Sequence, residues 1–171
     1  MDQYDIYQKK LQKYKYKYTL NKNESYNDKI KLYSDLCIKS CCDMFNYLKF
    51  YHGILKFLDM NIIKYISEFN KMTDNNYQHI FDNIKNQLGM TNLNVKYIDK
   101  YFHVKNFSSQ ENIDQIMIDL SDKNRWSDVL SKLILWKILF LYEFNEKVYP
   151  KIKEFCRNKI VDTLEPQQFY I

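Results

Sequence analysis

The sequence predicts an all-α fold, and three observations predict it. Turn residues are scarce, with two Gly and two Pro in 171 residues, whereas sandwiches and barrels punctuate their strands with turn residues every 8–12 positions or so. Apolar residues recur at three- and four-residue steps through most of the chain. One segment, Trp126 to Phe144, reads WSDVLSKLILWKILFLYEF and is apolar nearly all round in its second half. A helix apolar on every side in a globular protein is enclosed by others. This segment is therefore predicted as the central helix of a bundle of about seven.

Length and composition fit that fold. A chain of 171 residues matches one domain. Hydrophobic residues at 46% exclude a disordered chain. Ala is absent, and Lys, Asn, Ile and Tyr are abundant. These residues have A/T-rich codons, so part of the Lys and Tyr excess reflects base composition.

In chain order, residues 1–27 read as a polar arm, basic and Tyr-rich, and 28–171 as a single domain. A helix is expected from Asp28 to about Leu58, on Ile30, Tyr33, Leu36, Cys37, Cys41, Met44, Phe45 and Leu48, with His52-Gly53 offering a break. A second helix covers about Asn61 to Met72, with Ile62, Ile63, Ile66 and Phe69 as its stripe. The polar run Thr73–Asn76 ends it and starts a third, Tyr77 to Leu88, whose face is Tyr77, Ile80, Phe81, Ile84 and Leu88. Gly89 stands where a C-cap glycine belongs. Residues 90–107 read as loops with a short helix. Ser108 and Glu111 form a capping box for a helix to Leu120. In the Trp126 helix, Asp128 and Lys132 have the i,i+4 spacing of an ion pair. Tyr149-Pro150 opens a last helix to about Thr163, and Leu164-Glu165-Pro166 ends it.

Net charge is +5, with Arg only at 125 and 157. Lysines are spread along the chain, unlike the concentrated basic element of a nucleic-acid protein, so no nucleic-acid partner is expected. The exception is Gln8–Tyr18, where Lys and Tyr alternate. Such a stretch suits acidic lipid or phosphate; its plainer reading is a solvated, frayed extension. The continuous apolar part of Trp126–Phe144 is too short to span a membrane, so no transmembrane anchor is expected.

Met1 is followed by polar residues rather than a leader-like apolar run, which points to a reducing compartment with free thiols. Cys37, Cys41, Cys42 and Cys156 lack metal-site spacing to His52, His79 or His103 and read as buried structural thiols, so no metal and no cofactor are expected. Two glycines cannot build a phosphate loop, and neither HExxH nor a nucleophile elbow is present. His79 reads as a boundary residue rather than a base. The expectation is a non-enzymatic protein with no catalytic residues.

With that arrangement laid out, Leu120-Ser121-Asp122-Lys123-Asn124-Arg125-Trp126-Ser127-Asp128-Val129-Leu130 resembles the first homology motif of the Bcl-2 family of apoptosis regulators. The apolar residue, the Asp and the Trp stand in register. Leu164-Glu165-Pro166 resembles the opening of the second motif. Phe81–Leu88, with Tyr77 a turn earlier, resembles the groove-lining third helix, and Ile66–Lys71 stands where the third motif would be. The resemblance covers roughly residues 60–170. Ser127 replaces the family's Gly, Asp128 its Arg, and Lys71 an Asp. Such divergence, with A/T-rich composition and a chain that ends before a tail anchor, is similar to members carried by large DNA viruses such as poxviruses.

The resemblance implies a decoy that sequesters the BH3 helices of pro-death host proteins in a hydrophobic groove. It would act in the host cytoplasm near mitochondria, in peripheral contact with membrane. Tyr77, Phe81, Ile84 and Leu88 would form one wall, and Leu120, Val129 and Leu130 the floor and other wall; Arg125, Trp126 and Asp128 complete the expected groove. Core packing is the plainer reading of each apolar member. Two alternatives stand beside the decoy. One is a Bcl-2-like fold with its groove closed, which binds innate-immune signalling proteins and inhibits the NF-kappa-B pathway. The other is an unrelated helical bundle or small enzyme. Oligomeric state is not legible.

Overall fold

A computed structural model describes residues 3–72, 77–96 and 109–168, the last five by backbone alone. The described chain is all-α, as predicted: α1 (Gln3–Leu20), α2 (Glu24–Asp59), α3 (Ile63–Lys71), α4 (Gln78–Gln87), α5 (Gln110–Leu120), α6 (Trp126–Leu139), the single turn α7 (Leu141–Glu143) and α8 (Tyr149–Gln168). It divides into two compact units, one of residues 1–50 and 159–171, the other of 51–158.

In the first unit, residues 3–20 are helical rather than a frayed arm. The chain turns at Asn21–Asn23, where the Asn23 side chain accepts the Ser25 N–H (3.0 Å) and opens α2. Tyr7 meets Tyr33, and Tyr14 meets both Tyr33 and Tyr26. Partners that descend along α2 as they climb along α1 make the pair antiparallel. Leu11, Cys37, Phe50 and Ile160 are the buried apolar residues described in this unit.

The second unit is denser. Ten of the fourteen residues of α6 are buried, including Val129, Leu130, Leu133, Ile134, Leu135 and Trp136. Each such side chain withdrawn from water stabilises by roughly 1.5–3 kcal/mol. The apolar segment is not one helix to Phe144, however. Phe140 leaves helical geometry (φ −135°, ψ 56°), and a π-helical turn over Phe144–Val148 precedes α8. Pro150 has no N–H for the ladder and its ring crowds the preceding turn, which a wider turn accommodates. Pro166 likewise removes one bond near the end of α8, yet the helix continues to Gln168 rather than stopping at Thr163.

α2 runs unbroken through His52-Gly53. Gly53 serves close packing instead, since a Cβ there would lie 2.1 Å from Met90 Cε. Gly89 is the predicted C-cap, at φ +70°. The Met90 N–H reaches the Lys85 carbonyl (3.1 Å) and the Gly89 N–H the Asn86 carbonyl (3.1 Å), a Schellman pair. The buried stripe of α3 is Ile62, Tyr65 and Phe69; Ile63 points to solvent and Ile66 is half-buried. The cap of α5 is Ser109, which accepts the Asn112 N–H (3.2 Å). That places Asn112, not Glu111, at the third helical position. Thr73–Asn76, Ser108 and the apolar residues from Tyr97 to Val104 lie outside the described residues.

Candidate functional site

All ten residues expected to line a groove belong to the second unit. Tyr77, Phe81, Ile84, Leu88, Leu120, Trp126, Val129 and Leu130 are each at most 6% exposed, so the structure makes them core. Tyr77 stands immediately before α4 and stacks on Phe69, ring centroids 4.0 Å apart. Ile80, Phe81 and Ile84 then repeat at helical spacing into the interior.

The residues that carried the family resemblance have local structural work. Asp122 accepts the Asn124 N–H (3.0 Å) and caps a 3-10 turn over Lys123–Arg125. Trp126 sends its Nε1–H to the Leu120 carbonyl (2.9 Å), which also accepts the Tyr51 hydroxyl (3.0 Å). Those two bonds tie the C-terminus of α5 to α2 and α6. Arg125 and Asp128 face solvent and pair with each other at 3.8 Å, their side chains 61% and 69% exposed. Asp128 thus pairs one turn back, with Arg125 rather than with Lys132. Leu164, Glu165 and Pro166 lie on the backbone of α8, their side chains outside the described residues.

Lys137 is the polar group that reading by pattern passed over. It is 2% exposed. Its ammonium donates to the carbonyls of Phe57 (2.7 Å), Leu58 (3.1 Å) and Met60 (2.7 Å) and lies over the Phe57 ring at 4.9 Å. It caps the carbonyls at the end of α2, where the helical ladder runs out; the Phe57 carbonyl also accepts the Met60 N–H (3.2 Å). Burial pushes the Lys137 ammonium down to about 8, while the nearby Asp59 carboxylate works to raise it. Asp59 also accepts the Tyr149 hydroxyl. A cavity of about 470 Å³ opens here, lined in part by Asp59, Asn61, Lys137, Asn145 and Tyr149. With all three ammonium protons donated to carbonyls, Lys137 acts as a cap and is not presented as a nucleophile. Its signal in the sequence was a lone cation in an apolar run.

Two further expectations find their places. His79 is a half-exposed residue whose ring nitrogen bonds Glu68 at 2.6 Å. The thiols of Cys37 and Cys156 are buried, but Cys42 is exposed and Cys41 half-buried. Burial pushes the Cys156 thiol up to about 12, which keeps it protonated and unreactive. Among the described residues no group of three His, Cys, Asp or Glu side chains is placed to hold a metal ion, and no helix is long and apolar enough to cross a membrane. Comparison with protein families, with curated proteins and with solved structures gives no match.

Proposed function

We propose that this chain is a non-catalytic helical interaction protein of Bcl-2-like type whose groove is closed, and that it engages innate-immune signalling proteins of a host cell through its outer surface. The observation that carries this reading is the burial of the eight apolar residues expected to line the groove, from Tyr77 to Leu130, at 6% exposure or less. A BH3 helix needs apolar pockets at i, i+4 and i+7 already open or cheaply opened. Opening them here exposes several fully buried side chains, at roughly 1.5–3 kcal/mol each, before any contact is made. Asp128 adds a like charge where a BH3 Asp would arrive, and Arg125 is already engaged with it.

Titration of labelled BH3 peptides against the folded chain tests the reading. No binding is expected up to about 100 μM, which corresponds to less than roughly 6 kcal/mol of affinity. In host cells, expression is expected to lower NF-kappa-B reporter output. Micromolar binding to a BH3 peptide that Arg125→Ala weakens would overturn the closed-groove reading in favour of the decoy.

A further inference from the structure

The first unit carries a surface that the proposed function does not use. On a helix of 3.6 residues per turn, Lys9, Lys13, Lys17 and Lys10 of α1 fall within an arc of roughly 100°. Tyr16 and Leu20 lie in or beside that arc, 66% and 71% exposed. Asp5 is the one carboxylate of α1 and falls outside it. The opposite face holds Tyr4, Tyr7, Leu11, Tyr14 and Tyr18, of which Leu11 is buried and the others half-buried. So α1 has an inner face of Tyr and Leu and a stripe of Lys, exposed at Lys9, Lys10 and Lys13 and half-buried at Lys17, with two apolar tips.

Three of those lysines are held in place. Lys10 lies over the Tyr33 ring at 5.5 Å, Lys13 over Tyr14 at 5.6 Å, and Lys17 over Tyr14 at 5.5 Å and Tyr26 at 5.9 Å. A cation resting on a ring keeps its outer side free for an anion and has less rotamer freedom to lose when it meets one. The stripe is therefore arranged before any partner arrives.

We infer that the outer face of α1, from Lys9 to Leu20, is a docking surface for an anionic lipid membrane. Charge complementarity selects an anionic partner, because every charged residue in the arc is a lysine. The apolar tips select lipid over nucleic acid. Leu20 offers nothing to a phosphate backbone but can sink into the headgroup–acyl boundary, and Tyr16 suits the headgroup level. The bidentate guanidinium that favours phosphate recognition is missing, since the chain's only arginines are Arg125 and Arg157. This inference rests on unit one alone and stands whether or not the proposed function does.

Co-sedimentation of the full chain with vesicles tests it. Binding is expected to vesicles with about 30% phosphatidylserine and not to pure phosphatidylcholine. It is expected to fall at least about tenfold as salt rises from about 0.1 to about 0.5 M. The K9E/K13E/K17E variant is expected to lose about a hundredfold in partitioning. If that variant melts below the wild type, K9Q/K13Q carries the same test with a smaller loss. Y16S/L20S keeps the charge and is expected to bind several-fold less, with stronger salt sensitivity. The inference is overturned if anionic vesicles are not bound, if neutral vesicles bind equally, or if the lysine variants bind as the wild type does. It is also overturned if Y16S/L20S is unchanged while a DNA or RNA oligonucleotide displaces the vesicles.

Discussion

The two units use the same residue types to opposite ends. In the first, tyrosines are half-exposed and lie against one another or under lysines, as Tyr14 lies flat on Tyr33 with centroids 5.7 Å apart. In the second, Tyr51, Tyr65 and Tyr77 are at most 3% exposed, and the Tyr51 hydroxyl is bonded to the Leu120 carbonyl. Lysines lie on rings in both units, Lys10, Lys13 and Lys17 in the first and Lys64 and Lys153 in the second, but the second also seals Lys137 against three carbonyls. A chain rich in Tyr and Lys thus supports both a shallow, aromatic helical pair and a dense core. The difference is how many aliphatic residues accompany them. Leu11, Cys37, Phe50 and Ile160 are the buried apolar residues described in the first unit, and the second holds all the others.

The largest expected effect is at the deepest point of the dense unit. Leu133→Asp should abolish folding. Leu133 is fully buried, and an unpaired carboxylate there costs several kcal/mol, comparable with the whole stability of about 5–15 kcal/mol. Circular dichroism and thermal melting of the variant check this. A variant that stays soluble and melts cooperatively near the wild-type temperature would break the contrast between the units.

Lys137→Met should cost about 2–3 kcal/mol, because it removes the ammonium from the carbonyls of Phe57, Leu58 and Met60 and leaves, among the described residues, only that of Phe57 with a backbone donor, the Met60 N–H. The cost should grow with pH. Below about pH 8 the folded and unfolded chains both carry the Lys137 proton. Between about 8 and 10.5 the unfolded chain binds it more tightly than the folded one. Rising pH therefore favours the folded wild type, by up to about 3 kcal/mol at the end of that window. The methionine variant has no such group. Urea denaturation of both proteins at about pH 7 and about pH 9.5 reads the difference. A gap that shrinks with pH would show that the carbonyl bonds outweigh burial in setting the proton affinity of Lys137.

The sequence made the fold class plain because helical periodicity survives without knowledge of neighbours. The face of α4 was legible residue by residue, since Tyr77, Ile80, Phe81, Ile84 and Leu88 keep one angular position. Gly89 was legible because a glycine after the last periodic residue has few other uses. Gly53 was not, because its reason lies in Met90, thirty-seven residues away in the chain. Phe140 could not be seen as a break, since nothing in LFLYEF favours a non-helical residue. The candidate site was legible as apolar side chains but not as open or closed. Periodicity says which residues face inward and is silent on what already fills the space they face.

The shallow unit should respond differently to the loss of its own aliphatic anchor. Leu11→Ala should cost about 1–2 kcal/mol, less than the usual 2–5 kcal/mol for such a truncation, because half-exposed tyrosines around it can close over the gap. The loss should be local. Hydrogen exchange should speed up across α1 while the amides of α6 stay protected. Equal acceleration in α6 would mean that the two units unfold as one.

The smallest net effect is expected where the dense unit is tightest, at Gly53. Alanine in place of a mid-helix glycine stabilises by roughly 0.5–1 kcal/mol through the unfolded chain. At this position the new methyl would meet Met90 Cε at 2.1 Å, and Met90 is itself only 4% exposed. The clash falls on the far end of a flexible side chain, so Met90 rotates away rather than forcing α2 to move. That rearrangement should offset the helical gain and leave Gly53→Ala within about 0.5 kcal/mol of the wild type. In a Met90→Ala background the obstacle is gone, and the same substitution should recover its full gain. The cycle of four proteins is expected to give a coupling of at least about 0.5 kcal/mol between the two positions. If Gly53→Ala stabilises equally in both backgrounds, Met90 does not hold the glycine in place. The packing of the second unit would then be looser there than the distance implies, closer in character to the first.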